Sequence, residues 1–254
     1  MKDFLYAILI AFSFFTVIPM PLVEWTGRRM RFLPLLMPAV GLVIGFTGYL
    51  LYSLLVVSAL STFSKAVIMV LFYLVITGGL HMDGLMDTAD AYFSRQSRER
   101  RLEIMKDSHL GAFAVMTFVS LILAKITCFF EIFRLEGAAP KALLLLFIPI
   151  LSRIIQASML CLFPYAKEDG LAVMYGEAAE GRTPYILGLY FILTTVVIYF
   201  LTGIRGLILP LGLLLFCAYY YFSTKKSFGG ITGDVVGGFV ELAELLMLMM
   251  LLLV

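Results

Sequence analysis

FLPLLMPAVGLVIGFTGYLLYSLLVVSAL, residues 32–60, runs without a single charged side chain. A helix crossing the ~30 Å hydrocarbon core of a bilayer needs about 20 apolar residues, so this stretch is long enough to span on its own. It has no period-two alternation, which favours a helix over a barrel strand. Further apolar runs lie at about 4–23, 63–80, 111–133, 141–163, 184–204, 207–222 and 235–254. Only Ser61 and Thr62 separate 32–60 from 63–80, which predicts a tight helical hairpin, and 207–222 is short enough to be re-entrant. The pattern predicts an all-α, polytopic integral membrane bundle of about seven or eight transmembrane helices. No linker or repeat divides it, so residues 1–254 read as a single transmembrane domain.

Composition points the same way. The chain is 62% hydrophobic and 14% charged, with a mean hydropathy of +1.01. A soluble domain is roughly 45–50% apolar and about 25% charged. A chain this short cannot hide so much apolar surface in a water-facing globule, which excludes a soluble enzyme. Cys128, Cys161 and Cys217 lie inside apolar runs with no CxxC pair, and read as small buried hydrophobes. The first run lacks a small-residue cleavage site and reads as a retained helix. The net charge of +2 says little; its placement says more. With eight spans, twelve basic residues fall on one side, from Arg28, Arg29 and Arg31 through Arg95–Lys106 to Lys225 and Lys226. Five fall on the other: Lys2, Lys65, Arg134, Lys141 and Arg205. The positive-inside rule makes the first side cytoplasmic and puts both termini outside.

The longest polar stretch covers residues 77–111. In it Asp83, Asp87 and Asp90 are spaced i, i+4, i+7, which stacks them on one helix face. Such like charges repel unless a cation binds them, and Mg²⁺ suits one or two carboxylates with phosphate oxygens and water. The alternative is a solvated loop balanced by the bases that follow. Carboxylates beside a membrane span are expensive unless employed, which favours the metal reading. Gly78, Gly79 and Gly84 let the backbone turn and a bulky ligand approach. Arg95, Arg98, Arg100, Arg101 and Lys106 supply cations, and metal plus Arg or Lys is what phosphoryl transfer needs. Membrane anchoring accounts for some of these bases. His81 lies two residues before Asp83; zinc is unsupported, since no cysteine or second histidine has ligand spacing here.

A second acidic face, Asp234, Glu241 and Glu244, repeats the pattern near the C-terminus. Glu241 and Glu244 lie within an apolar run and need a partner: a metal, Arg153 or Lys125. A joint site with Asp83 and a structural ion pair are the two readings. Arg153, itself inside a span, is a phosphate contact or a carboxylate partner. Two function classes fit these residues: a metal-dependent transferase acting on a phosphorylated substrate, and a transporter whose intramembrane acids carry protons or cations. A transporter places acids near the midplane of several spans; here the main cluster stands at a span end beside glycines and arginines, which favours the transferase.

GLHMDGLMDTADA (79–91) followed by RRLEIMKDSHLGAF (100–113) resembles the signature of cobalamin 5′-phosphate synthases, the adenosylcobinamide-GDP ribazoletransferases. The resemblance continues in FFTVIPMP (14–21), FLPLLMPAVGLVIG (32–45), LSR (151–153), FPYAKEDGL (163–171) and GGITGDVVGGFVELAELL (229–246). Val17 stands where an arginine is common in that family, and Met86 where a small residue is. The resemblance implies a Mg²⁺-dependent enzyme of a prokaryotic cytoplasmic membrane that joins adenosylcobinamide-GDP to α-ribazole, or its 5′-phosphate, with GMP leaving. Its implied partners are these two small molecules, the lipid bilayer and other membrane-associated cobalamin-assembly enzymes, with no nucleic acid. On this footing Asp83, Asp87 and Asp90 are the expected catalytic and metal-binding carboxylates. Asp107, Asp234 and Glu241 are expected to complete the metal shell. Gly78, Gly79, His81, Arg100, Lys106 and Arg153 are the expected substrate contacts. Membrane alcohol phosphotransferases share the aspartate spacing but not their fuller pattern, and form the runner-up.

Overall fold

The computed structural model describes residues 2–135, 139–168 and 170–254. Its elements are α1 (Lys2–Phe15), α2 (Gly27–Met30), α3 (Leu33–Val56), α4 (Thr62–Ile76), α5 (Leu80–Phe93), α6 (Arg98–Ile104), α7 (Ala112–Arg134), α8 (Ala139–Leu162), α9 (Leu171–Ala178), α10 (Thr183–Thr202), α11 (Ile208–Phe228) and α12 (Gly233–Leu251). A 3₁₀ turn, Gly203–Leu207, joins α10 to α11, and among the described residues only an isolated bridge, Tyr165 to Ile231, is β-like. The helical membrane architecture expected from the apolar runs is the one observed. The expected α3–α4 hairpin is present, but residues 57–61 join its helices where two were expected; Ser61 caps α4 by accepting from the Ser64 N–H at 3.1 Å.

Helix α8 is buried over most of its length and carries α3, α10 and α12 around it. Gly41 on α3 is pressed so close to α8 that a Cβ there would stand 2.9 Å from the Pro149 carbonyl carbon. Small residues substitute for the hydrophobic driving force that lipid does not supply between helices. On the outside, Leu189, Ile192, Val196 and Phe200 of α10 are exposed apolar side chains, as a lipid-facing helix requires.

Four segments are long and apolar enough to cross a membrane: Leu33–Val56, Ala112–Arg134, Ala142–Leu162 and Thr183–Phe228. A fifth counts if α4 and α5, bent by 90° at the break between them, form one broken span. This is fewer than the seven or eight expected, and the reasons are local. The 46 residues of Thr183–Phe228 count as one stretch, although Gly203 interrupts them at φ 69°. Helix α12 carries Asp234, Glu241 and Glu244. Helix α1 has only 14 residues, about 21 Å of rise.

The expectation that the first run crosses the membrane is corrected. Pro19 and Pro21 end helix formation early. The start of α1 is held beside the entrance to α3: Asp3 pairs with Arg29 at 3.5 Å, Arg29 lies over the Tyr6 ring, and Phe4 meets Phe32 edge-on. Its end meets the α4–α5 break, where Val17 N–H donates to the Ile76 carbonyl at 2.9 Å and Phe15 stacks on His81. Residues 16–26 then return to α2 without regular helix. The chain enters and leaves this run at one end, so Lys2 stands with Arg28, Arg29 and Arg31 and not opposite them.

Candidate functional site

Gly78 and Gly79 lie between α4 and α5 with φ of 61° and 71°. In this left-handed region a side chain is strained. Their N–H groups close α4 onto the carbonyls of Val75 and Leu74 at 2.9 and 3.1 Å. Expected as substrate contacts, both stand at the break where the chain turns into α5, and neither lines the cavities described next.

Helix α5 rests on the first turns of α12. A Cβ on Gly84 would stand 2.9 Å from both the Cα and the carbonyl oxygen of Asp234, and one on Gly237 would stand 3.4 Å from the His81 carbonyl oxygen. The direction a Gly84 side chain would take is thus filled by the backbone of Asp234, while Gly84 itself lines the cavity beside it. This contact sets Asp83 and Asp234, from distant parts of the sequence, on the wall of one cavity of about 130 Å³. His81, Gln156 and Tyr175 line the same cavity, and His81 Nε2, Gln156 Oε1 and the Tyr175 hydroxyl are buried without hydrogen-bond partners. Buried polar atoms are nearly always satisfied, so three orphans around one space mark a place for a polar ligand.

A second cavity, of about 330 Å³, shares Ala172, Gly233 and Asp234 with the first and adds Lys106 and Lys167. Its lysines are delivered by loop pairing. Ala166 N–H donates to the Ile231 carbonyl at 2.8 Å, and Ile231 N–H returns to Pro164 at 2.9 Å, which carries Lys167 to Asp234. Thr232 caps α12 by accepting from Val235 N–H at 3.1 Å, and its hydroxyl donates to Met105 Sδ at 3.2 Å, which seats Lys106. The N-terminus of α12 opens here, and the positive end of its dipole favours negative charge.

Asp87 lies one turn beyond Asp83 and within electrostatic reach of Asp83, Asp234 and Asp90; Lys167 acts likewise on Asp234. Among the described residues no three His, Cys, Asp or Glu side chains stand close enough to hold a metal ion unaided. The donor set is nonetheless of the right kind for Mg²⁺, which takes few carboxylates and completes its shell with water and phosphate oxygens.

Other expected residues are engaged elsewhere. Asp90 accepts from Gly111 N–H at 2.7 Å and Ala114 N–H at 2.8 Å, capping α7 through both oxygens. Asp107 is exposed and accepts from the backbone N–H of His109 at 3.0 Å; that bond, with the nearby imidazole, holds its carboxyl below the usual range. Arg100 is exposed and pairs with Glu103 at 2.7 Å. Glu241 and Arg153 are buried in ion pairs with Lys125 and Glu244. The structure therefore gathers Asp83, Asp234, His81 and Lys106, with Asp87 adjacent, and sets Asp90, Asp107, Arg100, Arg153 and Glu241 apart as a cap or as paired charges. Of the two readings for the intramembrane acids, the ion pair is the one present. Gln156, Tyr175 and Lys167 join the site unannounced by any spacing; a lone glutamine in an apolar run was the one available signal.

These features define a polytopic helical membrane protein whose polar cavities, at one end of the bundle, set aspartates against lysines. The chain belongs to the cobalamin-5-phosphate synthase family, whose model matches residues 7–252. It is similar to the adenosylcobinamide-GDP ribazoletransferase of Clostridium perfringens, 34% identical over 96% of both chains. The protein of that name in Desulfitobacterium hafniense is 35% identical over 94% of both chains, and that of Halalkalibacterium halodurans is 34% identical over 96% of this chain and 94% of its own. No solved structure matches.

Proposed function

We propose that the chain is a Mg²⁺-dependent adenosylcobinamide-GDP ribazoletransferase of a prokaryotic cytoplasmic membrane, with its site on the cytoplasmic face. The names of its relatives support the substrates, and the crowding of basic loops at the site's end supports the orientation. The observation that carries the reading is the joint cavity: Asp83 and Asp234 face it with the unsatisfied His81, Gln156 and Tyr175, and Lys106 and Lys167 adjoin it.

A ribose hydroxyl of α-ribazole, one that its 5′-phosphate also leaves free, attacks the phosphorus nearest the corrinoid. An O–P bond forms, the bridging P–O bond of the pyrophosphate breaks, and GMP leaves. Asp83 orients the hydroxyl and accepts its proton. Lys106, Lys167 and the N-terminus of α12 hold the charge that gathers on departing GMP. His81, Gln156 and Tyr175 bind and orient the polar groups of the substrates. Asp83 and Asp234 would hold Mg²⁺, with Asp87 adding negative charge beside them, and the ion when bound supplies neutralisation of the non-bridging oxygens. Asp90 acts through α7, as a positioning residue.

The test is corrinoid product and GMP from purified protein in lipid nanodiscs, supplied with adenosylcobinamide-GDP and α-ribazole, with Mg²⁺ or with EDTA, beside Asp83→Ala. Product is expected only with Mg²⁺ and only from the unsubstituted chain. Full activity in EDTA overturns the metal, and no product from folded protein overturns the reaction.

A further inference from the structure

A cleft of about 630 Å³ lies on the face of α5 turned away from Asp83. Helices α7 and α11 flank it, and α5 and α12 form its floor. Along α7 it runs from Phe113 to Ala124, about 16 Å at helical rise. That is half the ~30 Å hydrocarbon core, the depth of one leaflet. Its edges are open: Met116 on one wall and Tyr219 on the other are 52% and 67% exposed.

The two ends differ. At the deep end the lining is apolar, with Ala124, Phe216 and Leu245. At the other end α5 and α11 finish and α7 begins, and cations collect. Arg101 reaches over the ring of Tyr92 and donates to the Ser227 carbonyl at 3.3 Å, while its Nε is buried without a partner. The Arg98 guanidinium packs on Gly229, directly after Phe228, which lines the cleft. Lys226 is exposed and follows Tyr219 and Ser223 on the same stripe of α11. Within the cleft, Thr88 Oγ1 is buried with no hydrogen-bond partner.

We propose that this cleft is a binding site for an anionic phospholipid of the surrounding bilayer. One acyl chain fills the apolar trough, and the phosphate group lies on Arg98, Arg101 and Lys226. The depth selects a single leaflet's chain, and the charge at the shallow end selects an anionic headgroup over a zwitterionic one. The orphaned Arg101 Nε and Thr88 hydroxyl are the donors that its phosphate and ester oxygens satisfy. The site is separate from the acidic cavities and does not depend on the reaction assigned to them.

The test is native mass spectrometry of the full chain, extracted from nanodiscs of phosphatidylcholine alone or mixed with phosphatidylglycerol and washed in detergent. The unsubstituted chain should retain a single phosphatidylglycerol and no phosphatidylcholine. Ser120→Phe, which fills the trough from α7, should abolish retention. Arg101→Gln with Lys226→Gln should weaken it by roughly tenfold or more, as expected for two basic residues near a charged surface. Monodisperse elution of both variants guards against misfolding. Equal retention of the two lipids, no retained lipid, or retention unchanged in both variants would each overturn the proposal.

Discussion

The ammonium of Lys125 stands 2.5 Å from Glu241 Oε2, and further along α12 the guanidinium of Arg153 stands 2.6 Å from Glu244, all four side chains buried. The acids on α12 thus tie it to α7 and α8. Removing one partner leaves an uncompensated charge in a medium that cannot solvate it. Glu241→Ala is expected to destabilise the protein by about 3–5 kcal/mol, whereas Lys125→Met with Glu241→Leu should restore stability. Thermal unfolding in detergent reads the pair directly. Activity in the folded double variant confirms that Glu241 is structural; its complete loss would return Glu241 to the metal shell.

Asp90 should separate from Asp83 in the same way. Asp90→Ala removes the acceptor for two N–H groups at the start of α7, a loss of about 1–2 kcal/mol. Asp90→Asn keeps an acceptor oxygen and should keep much of the activity. An inactive but fully stable Asp90→Asn would show that the carboxylate charge itself is used. Asp83→Ala should leave the unfolding temperature nearly unchanged while removing activity.

Gly84→Ala drives a methyl group into the backbone of Asp234. Overpacking of this kind costs about 1–3 kcal/mol, and it also parts the two halves of the acidic cavity. Both stability and activity are expected to fall. Gly188→Ala on α10, where no atom stands within 4 Å of an added Cβ, should be tolerated. If Gly84→Ala were equally harmless, the close approach of α5 to α12 would not matter to the site.

Lys106→Gln and Lys167→Gln each remove a charge that faces the cavity of about 330 Å³ beside Asp234. A charged hydrogen bond contributes about 1.5–3 kcal/mol, so kcat/KM for adenosylcobinamide-GDP should drop roughly tenfold to a hundredfold. Asp107→Asn, on the exposed loop, should change nothing. Steady-state kinetics in nanodiscs distinguishes them, and an unaffected Lys167→Gln would remove that residue from the site.

Much of this architecture was legible because lipid enforces simple patterns. Each apolar run became a helix, and the break after the second run became a hairpin turn, although over residues 57–61 and not two positions alone. The first run misled because apolar content was read without its prolines: Pro19 and Pro21 turn a candidate span into a short helix with an extended return. The spacing of Asp83 and Asp87 exposed them, since a helix projects i, i+4 carboxylates together. The same spacing hid what Asp90 does, because its partners Gly111 and Ala114 lie on another helix, 21 and 24 positions away. Tyr175 was invisible and Gln156 no more than a lone polar residue for a related reason: a single polar residue in a helix has no period, and only tertiary packing shows two such residues facing one cavity. Lys167 depends on the pairing of Pro164 and Ala166 with Ile231, a loop-to-loop contact that no local pattern encodes.

The seating of Gly84 on Asp234 also sets the order in which this protein comes into being. Translation delivers Asp83 well before Asp234, and the cavity between them exists only once α12 has docked. A nascent chain, or one cut short before Thr232, is therefore a membrane resident with no working centre. Competence therefore waits on the docking of α12, whatever the rest of the bundle has already reached.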